Sequence, residues 1–345
     1  MITRIPEPSV PNRVRILSIA SELPPAIRTS DEVEALVAER SPGLRFRRGV
    51  IESTTGIRTR RVAEDNVQCS DLAAAAARSA LAETGLGAPD VDLLIFASAG
   101  QDLIEPATAH IVQEKLGTRC PVFDVKNACN SFLNGLQLAE ALILGGAYDT
   151  VLVAAGEICS RAVKWGVRDA DEFRRYFPAY TMGDAGAAAV VARSDNGRGI
   201  FFRAFASRSE HWKLATVRCG GSMHPRGEEF TYLQGDGPRL RQIFADVGLC
   251  IFRKMMHDAG VQQHDFDRIF VHQVSVSYHR ELLASIGVRA DRVESTVEEY
   301  GNLASASIPV AFSLAQARGA VGPGDRVLWV GMASGISIGV FMMDL

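Results

Sequence analysis

Asn127-Ala128-Cys129-Asn130-Ser131-Phe132 places a thiol where an apolar strand gives way to an apolar helix. Upstream, Pro121-Val122-Phe123-Asp124-Val125 reads as a buried strand. Downstream, the run from Leu133 to Leu144 has helical periodicity and stops at Gly145-Gly146. Cys129 is thereby expected near a helix N-terminus, where unpaired backbone N–H groups and the positive end of the dipole favour thiolate over thiol. A small, buried, inert cysteine is the competing account of the same residue.

Strand and helix alternate along the rest of the chain, which predicts an α/β protein with largely buried sheets. Val91 to Ala97, Thr150 to Ala155, Ala187 to Val191 and Arg268 to Val271 are short apolar runs of central-strand type, and alanine-rich Asp71 to Ala82 predicts a helix. A polar break at Arg193-Ser194-Asp195-Asn196-Gly197 divides the chain into an N-terminal half, 1–196, and a C-terminal half, 197–345. Within the second half, residues 205–238 are rich in glycine and proline and poor in periodicity, as expected of an irregular cap over a site.

Composition excludes several classes of function. The 345 residues are 47% hydrophobic and 22% charged, enough apolar material for two domains or one duplicated one. A net charge of −3 gives no reason to expect nucleic acid or an anionic membrane as partner. Arg4, Pro6, Glu7 and Pro8 interrupt the N-terminus where a signal peptide needs an apolar core. No stretch reaches the roughly 18 uninterrupted apolar residues of a membrane span. The six cysteines, at 69, 120, 129, 159, 219 and 250, lack metal-ligand spacing, so neither a zinc site nor a disulfide framework is expected, and a cytoplasmic setting is consistent.

Three further polar clusters fall where apolar runs end. His272 follows Ile269-Phe270-Val271, Asn302 lies in the turn Tyr300-Gly301-Asn302-Leu303 before a helix beginning near Ser305, and Val327 to Val330 runs into Gly331-Met332-Ala333-Ser334-Gly335. Taken singly, His272 fits a hydrogen-bonded structural group and Asn302 fits turn chemistry. Together with Cys129 they suit acyl transfer: a thiolate takes the acyl group, while His and Asn donate hydrogen bonds to an enolate oxygen. A cysteine hydrolase, with His as base and Asn orienting its ring, uses the same residue types. Spacing alone leaves both open.

Six motifs occur in one order: Thr55-Gly56-Ile57-Arg58-Thr59-Arg60-Arg61, Ala128-Cys129 with Phe132, Met182-Gly183-Asp184-Ala185-Gly186, Val271-His272-Gln273, Tyr300 to Pro309, and Gly331 to Gly335. This order resembles the thiolase-fold condensing enzymes of the β-ketoacyl-carrier-protein synthase III branch, over nearly the whole chain. The resemblance implies a five-layered α-β-α-β-α fold built from two pseudo-symmetric halves, normally a homodimer. It implies Cys129 as the acylated nucleophile, His272 and Asn302 as the enolate-stabilising pair, and Ser334 and Phe132 in support near the oxyanion hole. It further implies coenzyme A thioester as substrate, with no permanently bound cofactor and no metal.

Departures from the initiating synthases are also visible. Val50 and Thr54 stand where those enzymes carry a tryptophan and an arginine, and His272-Gln273-Val274-Ser275 replaces His-Gln-Ala-Asn, with Ser277, Tyr278 and a displaced Arg280 where a carrier-docking base is usual. The chain is more similar to the OleA-type thiolases, which join two acyl-CoA chains head to head. Leu103-Ile104-Glu105-Pro106 is similar to their Glu-Pro segment, whose glutamate enters the partner's site. That similarity implies Glu105 as the base that removes an α-proton, its pKa raised at an interface. The competing role for Glu105 is a helix first-turn acid. Gly183-Asp184-Ala185-Gly186 lacks the lysine and spacing of a phosphate loop and suits close backbone packing instead. Arg58, Arg60 and Arg61, with Arg45, Arg47 and Arg48, form a basic cluster suited to coenzyme A phosphates or to a solvated face.

The expected activity is therefore an acyl-thioester condensation on Cys129. The alternatives that keep the fold are a malonyl-using synthase III and an acyltransferase that passes the acyl group to a hydroxyl or amine. A non-catalytic scaffold would not need Cys129, His272 and Asn302 together. The donor is expected on coenzyme A or on acyl carrier protein.

Overall fold

Thirteen strands organise the chain, described for residues 12–345 in a computed structural model. The expectation drawn from Arg4, Pro6, Glu7 and Pro8 lies outside the described residues. The strands of the first half are β1 (Val14–Glu22), β2 (Ala26–Thr29), β3 (Thr59–Val62), β4 (Leu93–Ala97), β5 (Val122–Val125), β6 (Thr150–Ile158) and β7 (Asp184–Arg193). Those that follow are β8 (Gly199–Ser207), β9 (Ala215–Thr216), β10 (Gln234–Gly235), β11 (Arg268–Val271), β12 (Arg326–Ala333) and β13 (Ser337–Asp344).

Two sheets carry the architecture, and one topology is used twice. The first has the order β1-β7-β6-β4-β5 and the second β8-β13-β12-β11. In the first, β1–β7 and β7–β6 are antiparallel while β6–β4 and β4–β5 are parallel. In the second, β8–β13 and β13–β12 are antiparallel and β12–β11 is parallel; a single parallel bridge from Ile269 to Val293 stands where β5 stands in the first.

Helices fill three layers around these sheets. The helices Ser131–Leu144 and Ser307–Ala317 lie between them in a core of Phe132, Leu136, Phe270, Phe312, Trp329 and Phe341. Phe312 packs 5.2 Å from Phe270 and 5.3 Å from Trp329, centroid to centroid. Full burial of each such side chain contributes about 1.5–3 kcal/mol. The helices Cys69–Thr84 and Thr108–Leu116 cover the outer face of the first sheet, and Leu249–Asp258 and Val276–Ile286 that of the second. The result is the five-layered α-β-α-β-α thiolase fold. Strands β6 and β7 are buried on both faces, which is why they read as unbroken apolar runs rather than alternating ones.

Two local expectations need correction. Pro121 to Val125 is not a buried strand: β5 is the edge of its sheet, half-buried, with Asp124 exposed. An apolar run cannot report its rank in a sheet, because a neighbouring strand, not the run itself, decides burial. Residues 205–207 belong to β8, so the irregular segment begins at Arg208. It then folds back as the short β9–β10 ribbon, and Tyr232 and Leu233 pack beside Tyr176 and Trp165 in a satellite cluster.

Candidate active site

Cys129 lies just before the central helix, two residues short of its first position, Ser131. The turn that presents it is tight: Ala128 has φ 48°, and the Asn130 and Ser131 amides donate to the Asn127 and Ala128 carbonyls at 3.0 and 3.1 Å. Ser131 Oγ fastens the turn further, donating to Ala128 O at 2.7 Å and accepting from the Asn127 amide at 2.8 Å. Phe132 is fully buried in the inter-sheet core, so the helix start is anchored by packing.

The loop is docked onto the second half through Asn130. Its Nδ2 donates to the carbonyl oxygen and the Oγ of Ser337, at 3.1 Å each. Asn130 Oδ1 lies where a Cβ on Gly331 would come within 2.1 Å of it, so β12 admits the loop only because residue 331 is glycine. Ser334 sits in the turn Ser334-Gly335-Ile336 that joins β12 to β13, one hairpin tip away from this junction.

The environment of Cys129 reverses the expectation of a resting thiolate. Burial, and then the nearby Glu157 carboxylate, push the thiol up to about 12, and backbone hydrogen bonding offsets this only in part. Helix-terminus stabilisation fades within a turn, and Cys129 precedes the helix, so desolvation prevails. The resting group is a thiol that needs a proton acceptor.

His272 directly follows β11, with its backbone amide donating to Val330 O at 2.9 Å, and it is buried at 3% exposure. Burial, and then the neighbouring His279, lower it to about 4, so the ring is neutral at physiological pH. Its Nδ1 and both nitrogens of buried His279 have no hydrogen-bond partner among the described residues. A neutral imidazole offers one N–H donor and one acceptor nitrogen.

Asn302 is held at both ends of its backbone. Its amide donates to Thr181 O at 2.8 Å and its carbonyl accepts from Gly183 N at 3.0 Å. Its Oδ1 accepts from Ala304 N at 3.0 Å, which leaves Nδ2 as the free donor. This strand contact requires glycine: a Cβ on Gly183 would lie 2.2 Å from Tyr300 O, and one on Gly301, at φ +69°, would lie 2.6 Å from Thr181 O. The small residues of the Gly183 motif thus serve close packing, as expected. Gln273 links the two donors, its Nε2 donating to Glu294 O at 2.8 Å and its Oε1 accepting from Thr296 and Val297 amides at 2.9 and 3.1 Å. The segment it holds leads directly to Asn302.

Glu157, near the end of β6, was not singled out from sequence. Its Oε1 accepts from Ala99 N at 2.7 Å and its Oε2 from Gly100 N at 2.9 Å, and Ser305 Oγ donates to Oε1. Burial raises its pKa against those hydrogen bonds. A glutamate ending a strand of nine residues, otherwise uncharged, was the available signal.

The remaining candidates separate. Glu105 is exposed, directly after exposed Leu103 and Ile104, and precedes the helix that starts at Thr108, so it is not a first-turn acid. Arg60 is a correction: at 1% exposure its guanidinium is buried and donates inward to Ser30 Oγ at 3.1 Å and Tyr180 O at 3.0 Å, away from the surface that a coenzyme A phosphate would approach. Alternation along β3 turns it to the interior. Arg58 is exposed beside Glu298 and Glu299, and Arg61 donates to Pro25 O at 3.1 Å. Among the described residues no cluster of three or more His, Cys, Asp or Glu is placed to hold a metal, and no helix is long and apolar enough to cross a membrane.

Two family models match the chain, 3-oxoacyl-(acyl-carrier-protein) synthase III over residues 123–209 and the C-terminal part of the same enzyme over 256–345. Among curated relatives, β-ketoacyl-(acyl-carrier-protein) synthase III of Symbiobacterium thermophilum is 32% identical over 337 residues, 96% of this chain and 97% of the relative. The chain belongs to the synthase III family. The Neisseria gonorrhoeae synthase III is 33% identical over 300 residues, covering 85% of this chain and 89% of the relative. Solved structures of Xanthomonas campestris OleA are similar too. A Cys-to-Ser variant with bound lauric acid and lauroyl-CoA superposes with TM-score 0.87 at 29% identity, covering 96% of this chain and 99% of that one. A Cys-to-Ala variant gives TM-score 0.88 at 28% identity, covering 99% and 100%. This synthase III family member is an acyltransferase-type condensing enzyme of the thiolase fold.

Proposed function

We propose that the enzyme joins two acyl-CoA molecules head to head, as a homodimer. The observation that carries this reading is the exposed Leu103-Ile104-Glu105 projection: two apolar side chains, 50% and 63% exposed, lead into a carboxylate with no partner among the described residues of its own subunit. Such a projection suits insertion into a second copy. Further support is that OleA structures similar to this one include variants at a cysteine, a glutamate and a histidine.

In this mechanism Cys129 sulfur attacks the carbonyl carbon of an acyl-CoA. The carbon–sulfur bond to coenzyme A breaks, and coenzyme A leaves as thiol with the proton that Cys129 gives up. Glu105 of the partner subunit takes the α-proton of a second acyl-CoA, while His272 and Asn302 donate to the enolate oxygen. The α-carbon then attacks the acyl-cysteine, the carbon–sulfur bond to Cys129 breaks, and the released thiolate recovers the proton held by Glu105, giving a 2-alkyl-3-ketoacyl-CoA and the starting thiol and carboxylate. Ser334 contributes its backbone N–H near the acyl oxygen and Phe132 steadies the loop. In this reading Arg58 and Arg61 pair with coenzyme A phosphates, and coenzyme A enters as substrate only. The halves divide at 196/197, and the enzyme works in the cytoplasm.

Purified protein incubated with myristoyl-CoA alone tests this. Free thiol release with a long-chain β-keto product, or the ketone it decays to, supports the reading. Stable acylation of Cys129 without product refutes it and directs the search to malonyl thioesters or to hydroxyl and amine acceptors. The curated relatives named above carry the synthase III name, which makes the malonyl thioester the first of these.

A further inference from the structure

Three thiols, Cys129 among them, and two loops converge on one buried carboxylate, Glu157, to which the mechanism above gives no role. Glu157 is 1% exposed, and its close hydrogen bonds come from Ala99, Gly100 and Ser305, on segments that carry other functional residues. Ala99 and Gly100, whose amides it accepts at 2.7 and 2.9 Å, open the loop that ends at Glu105. Ser305, which donates to Oε1, follows Ala304, whose amide fixes Asn302 Oδ1 at 3.0 Å. Strand β6 itself neighbours β4, so the carboxylate bridges the nucleophile half to the Asn302 loop of the other half.

We propose that Glu157 is a positioning residue for condensation, holding the Asn302 loop and the root of the Glu105 loop in one fixed relation to Cys129. One buried acid that accepts from two consecutive amides and from a hydroxyl across the inter-half junction leaves those loops little freedom. The Asn302 donor must be aimed before the enolate forms, since a preorganised donor costs no rearrangement during reaction. The inference rests on the role given to Asn302 above.

The titratable groups facing Glu157 are Cys129, Cys69 and Cys159, the last with its Sγ 3.9 Å from Oε2. Removing the carboxylate charge therefore also acts on the nucleophile, which provides a readout separate from folding. Wild type, Glu157→Gln, Ser305→Ala, Ser305→Thr and Asn302→Ala are compared with myristoyl-CoA. For each, Cys129 acylation is followed by intact mass, condensation by product, and Cys129 alkylation by iodoacetamide against pH with peptide mapping.

Ser305→Ala is expected to lower condensation roughly tenfold to a hundredfold while acylation changes little, with Ser305→Thr restoring it. Glu157→Gln is expected to lower condensation likewise and to move Cys129 alkylation to lower pH. If both variants condense at the wild-type rate while Asn302→Ala is inactive, Glu157 does not position the loop and the inference is overturned. If Asn302→Ala itself condenses normally, the role of Asn302 is lost first. If acylation and condensation fall together with melting temperature, and alkylation does not shift, Glu157 is only a structural acid.

Discussion

Asn130 Nδ2 donates to both the carbonyl and the Oγ of Ser337 at 3.1 Å, so the residue beside the nucleophile is fastened to the half of the molecule that bears His272 and Asn302. Asn130→Ala should lower the rate of Cys129 acylation by roughly tenfold to a hundredfold through misplacement of the thiol. It should also cost about 1–3 kcal/mol of stability by leaving buried groups unpaired. Stopped-flow release of coenzyme A and urea unfolding check the two effects. An unchanged acylation rate would mean that the tether does not aim the thiol.

The Cys129 thiol, pushed up to about 12 by burial and Glu157, should not behave as a resting thiolate. Its iodoacetamide alkylation in free enzyme should climb about tenfold per pH unit across the neutral to mildly alkaline range, without a plateau. A plateau near neutrality would show that another group already takes the proton.

Gly183→Ala puts a Cβ 2.2 Å from Tyr300 O and must push the Asn302 segment away. Overpacking of this kind costs about 1–3 kcal/mol. Condensation should fall further than acylation, because the displaced residue serves only the second step. Melting temperature and separate assays of the two half-reactions test this.

Arg60 and Arg58 should part company. Arg60→Met removes inward donors to Ser30 and Tyr180, which should cost about 1–3 kcal/mol. Arg58→Ala, at an exposed site, should leave stability nearly unchanged and raise KM for acyl-CoA. Paired thermal melts and KM values decide it.

Acid should destabilise the enzyme through two histidines. His272 and His279 are lowered from 6.5 to about 4 by burial, so the unfolded chain binds protons more readily than the folded one. Their neutral state therefore contributes fully above pH 6.5 and is lost as pH falls towards 4. The loss amounts to about 3 kcal/mol per histidine at most. Urea midpoints between neutrality and pH 4 should fall more steeply in wild type than in His279→Phe, provided the latter folds.

By itself the sequence determined the α/β class and most strands of the first sheet, and it singled out Cys129, His272 and Asn302 as the candidate residues. Each of the three sits where an apolar run breaks off into small or polar residues, a local signal that needs no partner to be seen. The ordered motifs carried the family. Three things came only with tertiary structure, because each depends on what another segment brings near. Pro121 to Val125 became an edge when no strand paired beyond it, and Arg60 turned inward because β3 packs that face against Tyr180. The protonation of Cys129 was decided first by burial and then by Glu157, 28 residues downstream on β6; no local feature of the Cys129 stretch encodes either. Desolvation and charge act through space, so the chemistry of the thiol belongs to the fold rather than to its stretch of chain.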